Sequence, residues 1–251
     1  MNNKLFIAAA LAGILFGALS SVLRADVYFS EGFDYADGSL TASSDWTRHS
    51  GTEGQIQVSG GKITLTDSQS EDVNRLIGTT VTTGTVFAGF DFSVSASNPG
   101  GTDFEYFAHF GYGNSDFTAR MDINTADGNG FLVGISHTST AQANWGSTLD
   151  YDTVYRAIIG YNRDSGLANL WIGASLESDT SIVTTTSNEN NVEGFYFREA
   201  NSSVNETIVV DDLIVGSTFL DVVNFSAVPE PSSLFVLGMF GFSGLVRRRR
   251  S

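Results

Sequence analysis

From Asp26 to Gly216 the chain alternates apolar and polar residues in short runs, the period-two pattern of strands with one buried face. Val86 to Val94 places Val86, Ala88, Phe90, Phe92 and Val94 on one side. Phe104 to Phe110 does the same with Phe104, Tyr106, Ala108 and Phe110, and Phe117, Ala119, Met121 and Ile123 alternate with Thr118, Arg120 and Asp122. Further strands are expected over 62–66, 131–135, 154–161, 168–173, 194–198 and 208–215. Valine, threonine and phenylalanine dominate these runs and pack well on a pleated surface. No stretch between Asp26 and Pro231 keeps a helical period.

Between the runs lie Ser59-Gly60-Gly61, Asn98-Pro99-Gly100-Gly101, Asp127-Gly128-Asn129-Gly130 and Asp164-Ser165-Gly166. These residue types accept positive φ or bond their own backbone, so they punctuate strands. Many short strands with glycine-rich turns predict an all-β fold, an antiparallel β-sandwich or jelly roll. No repeat of fixed period is present, which argues against a propeller or solenoid. Residues 26–226 are one domain's worth of chain, enough to bury a substantial core.

Two segments break the pattern. At the start, Lys4 precedes an apolar run from Leu5 to Leu19 and then small residues, the layout of a secretory signal peptide over 1–25. Cleavage is expected after Ala25, with Ser20 as the other site. At the end, 227–251 holds Pro229-Glu230-Pro231, then 232–246 without a charge, then Arg247, Arg248, Arg249 and Arg250. The two prolines bias Ala227 to Pro231 toward extended chain. As a helix, 232–246 spans roughly 22 Å, short against a hydrocarbon core of about 30 Å, and snorkelling arginines narrow the gap. Four arginines directly after a span hold that end in the cytoplasm, so this predicts a transmembrane helix with the body outside.

This order of motif, apolar run and basic end resembles the PEP-CTERM sorting signal of bacterial surface proteins. The resemblance implies that Pro229, Glu230 and Pro231 are the recognition motif and that Arg247 to Arg250 form the basic topology cluster. It also implies an exosortase-type membrane protease as partner. Members are linked with exopolysaccharide and biofilm matrix, so the expected route is export, tethering in the inner membrane, then the cell surface or extracellular matrix.

Composition narrows the chemistry. All 28 acidic residues lie between Asp26 and Pro231, beside seven basic ones: Arg48, Lys62, Arg75, Arg120, Arg156, Arg163 and Arg198. Such a body repels nucleic acid. With no cysteine it has neither disulfide nor thiolate metal site. No cofactor is expected, and Ca2+ is the one ion the acidic surface would suit.

A second resemblance lies in the body. Glu31-Gly32-Phe33-Asp34-Tyr35, Gly38-Ser39-Leu40, Trp46 to Gly51, Tyr155 to Trp171 and Val210-Asp211-Asp212-Leu213-Ile214-Val215-Gly216 resemble stretches of concanavalin A-like (LamG-like) domains. The resemblance implies a jelly roll of two antiparallel sheets, the last strand returning beside the first. Many members bind glycans and some hydrolyse them, so the fold leaves function open.

Candidate catalytic and metal residues are sparse. The glycosidases of that superfamily carry Glu-x-Asp-x-x-Glu on one strand, and the nearest approach here is Asp103-Phe104-Glu105, with His109 four residues on. Asp103 and Glu105 would stand about 7 Å apart by strand rise, within range of a carboxylate pair, but alternating acids are routine on a solvent face. His49, His109 and His137 show no zinc spacing, and no nucleophile elbow or P-loop is present. Asp127 to Gly130 lacks the further acids of a calcium loop and reads as a turn; Asp211-Asp212 is an equally thin calcium candidate. Trp46, Trp145 and Trp171 could stack on sugars or fill the core. The expectation is an exported structural or glycan-associating sandwich with no catalytic and no metal residues. The alternative is a glycan-active hydrolase or lyase of the same superfamily.

Overall fold

The computed structural model describes residues 26–42, 45–96, 104–125, 129–138, 140–199 and 206–224. The expected signal peptide, the Asn98 to Gly101 turn, Pro229 to Pro231, the apolar run and Arg247 to Arg250 lie outside them. The strands are β1 (Val27–Glu31), β2 (Gly38–Ser39), β3 (Thr47–Ser50), β4 (Gln57–Ser59), β5 (Lys62–Thr66), β6 (Asp72–Val81), β7 (Thr85–Ala96) and β8 (Glu105–Tyr112). They continue as β9 (Asp116–Asn124), β10 (Leu132–Ser136), β11 (Ala143–Asn144), β12 (Tyr155–Asn162), β13 (Leu167–Ile172), β14 (Ile182–Thr185), β15 (Val192–Arg198) and β16 (Glu206–Gly216). A single helical turn, α1 (Phe219–Val222), follows.

These strands form two antiparallel sheets, an all-β sandwich as the alternation predicts. One sheet has nine strands, in the order β14-β13-β12-β7-β16-β5-β4-β2 with β1 also on β16; the other has seven, in the order β11-β10-β9-β8-β15-β6-β3. The closing strand β16 does return beside the first, pairing Phe29 with Val215 and Glu31 with Leu213. Its other half pairs β5, from Thr207↔Thr66 to Val210↔Ile63. A bulge between Asp211 and Ile214, with Asp212 at φ 51°, separates the two halves.

The core fills the gap between the sheets. Phe90 of β7 reaches across to Phe107, Phe195 and Phe197 of the seven-stranded sheet, with ring centroids 6.2, 5.9 and 5.9 Å away and two of the three pairs edge-on. This is the geometry that aromatic quadrupoles favour. Val86, Ala88, Phe90, Phe92 and Val94 are all buried, as their alternation predicts. Phe87, on the opposite face of the same strand, is buried too. The reason is α1, which lays Phe219, Val222 and Val223 over Phe87, Ile158, Trp171 and Ile214 on the outer side of the nine-stranded sheet.

Two expected faces are corrected by bulges. In β8 the register shifts between Tyr106 and Ala108 and again between Ala108 and Phe110. Phe107, Ala108 and Phe110 therefore enter the core, while Tyr106 pairs with Asp122 on the outer side. In β9, Ala119 adopts φ 48°, so Ala119, Met121 and Ile123 are core and Phe117 turns outward. Each inserted residue reverses the period for the residues beyond it. Strand β6 is unforeseen: Gly78 at φ +76° and the polar residues around it hide its alternation.

Candidate functional site

The motif Glu31 to Tyr35 explains itself at the carboxylate of Glu31, which is 5% exposed. Its Oε1 accepts the Phe33 amide at 2.8 Å. Its Oε2 accepts the Tyr35 hydroxyl at 2.8 Å, Trp46 Nε1 at 3.1 Å and an Arg75 guanidinium nitrogen at 2.6 Å. A buried carboxylate is tolerable only when paired and fully bonded, and Glu31 is both. Arg75 also reaches Asp45 at 3.1 Å and lies 4.5 Å over the Phe29 ring. These residues border an open depression of about 330 Å³ between β1, β3 and β6. Its one cation is already spent on two carboxylates, so the motif is a structural clamp.

Two other buried acids bind backbone amides. Glu71 takes the amides of Gly54, Gln55 and Ile56 at 3.1, 2.7 and 2.7 Å. Glu199 takes those of Thr66 and Glu71 at 3.1 and 3.2 Å; burial still pushes its carboxyl up to about 7. Asp211 holds Lys62 with one oxygen and the Asp212 amide, at 2.8 Å, with the other. Among the described residues no group of three or more His, Asp or Glu side chains is arranged to hold a metal ion.

The tryptophans do not form a sugar platform. Trp46 is buried at Glu31, Trp171 is buried beneath α1 and donates to the Glu177 carbonyl at 3.2 Å, and Trp145 packs on the core. An aromatic cluster lies elsewhere, on the outer side of the seven-stranded sheet, with Tyr106 and Phe117 half-buried and His109 and Tyr196 only 1% exposed. Tyr196 and His109 stand opposite each other on β15 and β8 and stack at 5.0 Å and 14°. Phe117 of β9 is 4.5 Å from His109 and 5.6 Å from Tyr196, and Tyr106 meets His109 edge-on at 5.4 Å. His49 of β3 closes the group at 5.5 Å from both Phe117 and Tyr196.

The backbone is built to carry these rings. Gly111 pairs with both Gly194 and Phe117, and a Cβ on Gly111 would stand 2.8 Å from Tyr196 and 3.1 Å from Phe117. The glycine leaves room for the rings to lie across the sheet. The Tyr196 hydroxyl donates to the Gly113 carbonyl at 2.9 Å, and the Gly113 amide donates to Glu193 at 2.7 Å. Burial raises the Tyr196 hydroxyl to about 12 and lowers His109 to about 3, so His109 is a neutral stacking ring at physiological pH. Two cations complete the face: the guanidinium groups of Arg120 and Arg198 lie 4.5 and 4.4 Å over the Tyr106 ring.

The carboxylates here are Asp122, Glu105, Glu193 and Asp72, the last 3.9 Å from His49 Nε2; Asp103 lies outside the described residues. Glu105 pairs with Arg198 at 3.3 Å. Asp122 accepts the Ser136 hydroxyl at 2.8 Å and leaves its other oxygen without a partner. Burial pushes it up to about 7 against the opposing pull of Ser136 and Arg120, and Glu105 adds to the rise. Asp122 is wholly buried. Arg120, Tyr106, His109, Phe117 and Tyr196 are thus brought together without having been anticipated as a site. The available signal was Phe195-Tyr196-Phe197, where aromatics fall on both faces of one strand.

Residues 227–250 match the family described as the PEP-CTERM protein-sorting motif. The motif marks a protein that is exported, held at the membrane and then processed, and it implies an exosortase as the processing partner. No curated protein matches the chain. Among solved structures the chain is similar to lectin I-B4 from Griffonia simplicifolia in its metal-free form, at 11% identity and TM-score 0.48, over 74% of this chain and 97% of that one. It is similar to lectin II from Ulex europaeus at 15% and 0.44, over 77% and 100%. A sialidase aligns at 12% and 0.49, over 75% of this chain and 19% of its own. Among the described residues no helix is long and apolar enough to cross a membrane.

Proposed function

We propose that this chain is an exported, non-catalytic surface or matrix protein whose sandwich binds glycan on the outer face of its seven-stranded sheet. The observation that carries the reading is the pair of half-buried rings Tyr106 and Phe117, held at the sheet surface on the buried rings of His109 and Tyr196. Flat rings on a sheet face suit the apolar faces of sugar rings, and adjacent polar groups fix orientation. The described chain leaves the sandwich over the outer side of the other sheet, where Arg156 holds the Val222 carbonyl at 2.8 Å. The tail is then cut near Pro229 to Pro231 and the body is released or retained at the surface.

The alternative is a hydrolase or lyase acting on the same face, favoured by Asp122 near Glu105 with a carboxyl at about 7. Complete burial of Asp122 supports the non-catalytic reading, since a general acid must reach its proton's destination. The test is a glycan array with the full-length chain in detergent, followed by product analysis on every glycan retained. Retention without cleavage, lost in a Tyr106→Ala/Phe117→Ala double variant, is the expected result. Cleaved or unsaturated products establish the enzyme, and no retention removes both readings.

A further inference from the structure

We propose that the glycan taken by this face is acidic, a polysaccharide bearing uronate carboxylates, and that Arg120 is the residue that takes the carboxylate. The inference rests on the glycan-binding reading above. Basic residues are scarce in the body, and the structure spends most of them. Arg75 holds Glu31 and Asp45, Arg156 holds Asp91, Lys62 holds Asp211 and Arg198 holds Glu105. Among the described residues no carboxylate oxygen lies within ion-pair distance of Arg120.

The neighbouring acid attracts Arg120 but forms no ion pair with it. Asp122 takes its hydrogen bond from Ser136, and both Arg120 Nε and the second Asp122 oxygen are buried without a partner. Arg120 is half-buried between two rings, 4.5 Å over Tyr106 and 5.6 Å from Phe117. Ring contact steadies a guanidinium charge yet leaves in-plane N–H groups able to donate. A planar fork fixed beside ring faces matches a sugar that presents an apolar face and a carboxylate together, because guanidinium and carboxylate pair bidentately. The acidic body opposes a polyanion at long range, so the carboxylate is taken by this local contact; a neutral sugar would leave the free N–H groups of Arg120 without a charged partner.

The experiment compares polygalacturonate and alginate fragments with their carboxyl-methylated esters, a neutral glucan and a sulfated glycan, each titrated onto the full-length chain in detergent. Esterification keeps every ring and removes only the charge. A charge-assisted pair predicts at least about tenfold tighter binding of one acid form than of its ester. Arg120→Gln should abolish that preference while ester binding persists, and Arg163→Gln should change nothing. Arg120→Lys, which keeps the charge and loses the fork, should retain a weaker preference and serves if Arg120→Gln unfolds. Equal binding of acid and ester overturns the acidic specificity and leaves glycan binding standing, as does binding confined to neutral or sulfated glycans. A preference unchanged in Arg120→Gln overturns the role of Arg120. Binding to none of the glycans overturns both this inference and the reading beneath it.

Discussion

Trp46 donates its indole Nε1–H to Glu31 over 3.1 Å, joining residues 15 apart in sequence, and Arg75 reaches the same oxygen at 2.6 Å. One carboxylate thereby fixes β1, the segment before β3 and β6, elements of both sheets. Removing it costs a part-buried guanidinium the closer of its two carboxylates and strands an indole donor. Glu31→Ala is expected to cost about 3–5 kcal/mol, the range for breaking a buried pair. Urea unfolding followed by tryptophan fluorescence measures it, and a cost below about 1 kcal/mol, typical of an exposed pair, would contradict the clamp.

The α1 turn should behave as a strap that can be lifted from an intact sandwich. Val222 presents its carbonyl where a Cβ on Gly89 would stand, 2.2 Å away. Gly89→Ala therefore has to displace the strap. Limited proteolysis is expected to cut the variant near Phe219 to Asn224 while circular dichroism stays that of a β protein. Wild-type resistance at that site in the variant would count against the packing.

Stability should fall as pH rises from about 5 to 8. Burial holds Asp122, Glu199 and Glu206 at about 7 in the folded protein, against about 4 in an unfolded chain. Between those values the folded state binds more protons, so raising pH favours unfolding. His109, lowered to about 3, acts in the opposite sense: it loses stability as pH drops below about 6.5. Three carboxyls outweigh it from about 5 upward. Melting temperatures across that range check the slope, and Asp122→Asn should flatten it. A melting temperature that climbs toward pH 8 would refute the assignment.

The sorting motif follows β16, the last strand of the sandwich, and its two prolines disfavour regular structure, so it should matter to processing and not to folding. Glu230→Ala is expected to leave the sandwich folded while membrane-bound precursor accumulates in the native host, read by immunoblot of membrane and medium. Normal processing of the variant would refute the role of the motif.

Much of the fold was legible because a half-buried strand writes period two into its sequence. Val86 to Val94 and Lys62 to Thr66 show it plainly and lie in β7 and β5, and the β1–β16 pairing follows from the resemblance of its two end motifs. The aromatic face was not legible. It depends on bulges at Tyr106 to Phe110 and on the positive φ of Ala119, and nothing in a local pattern announces an inserted residue. The Glu31 clamp was visible only as a motif, since its partners Trp46 and Arg75 are distant in sequence. Sequence leaves the three tryptophans open between sugar platform and core because ring chemistry is local, whereas the side a ring faces is set by tertiary packing.

Hydroxyl-radical footprinting of the full-length chain, with and without a saturating retained polysaccharide, tests the central claim most directly. The claim predicts protection of Tyr106 and Phe117 on the outer face of the seven-stranded sheet, with exposed Leu220, on the strap of the opposite sheet, oxidised as before. Protection confined to the strap side, or unchanged oxidation of Tyr106 and Phe117 while polysaccharide is bound, would contradict it.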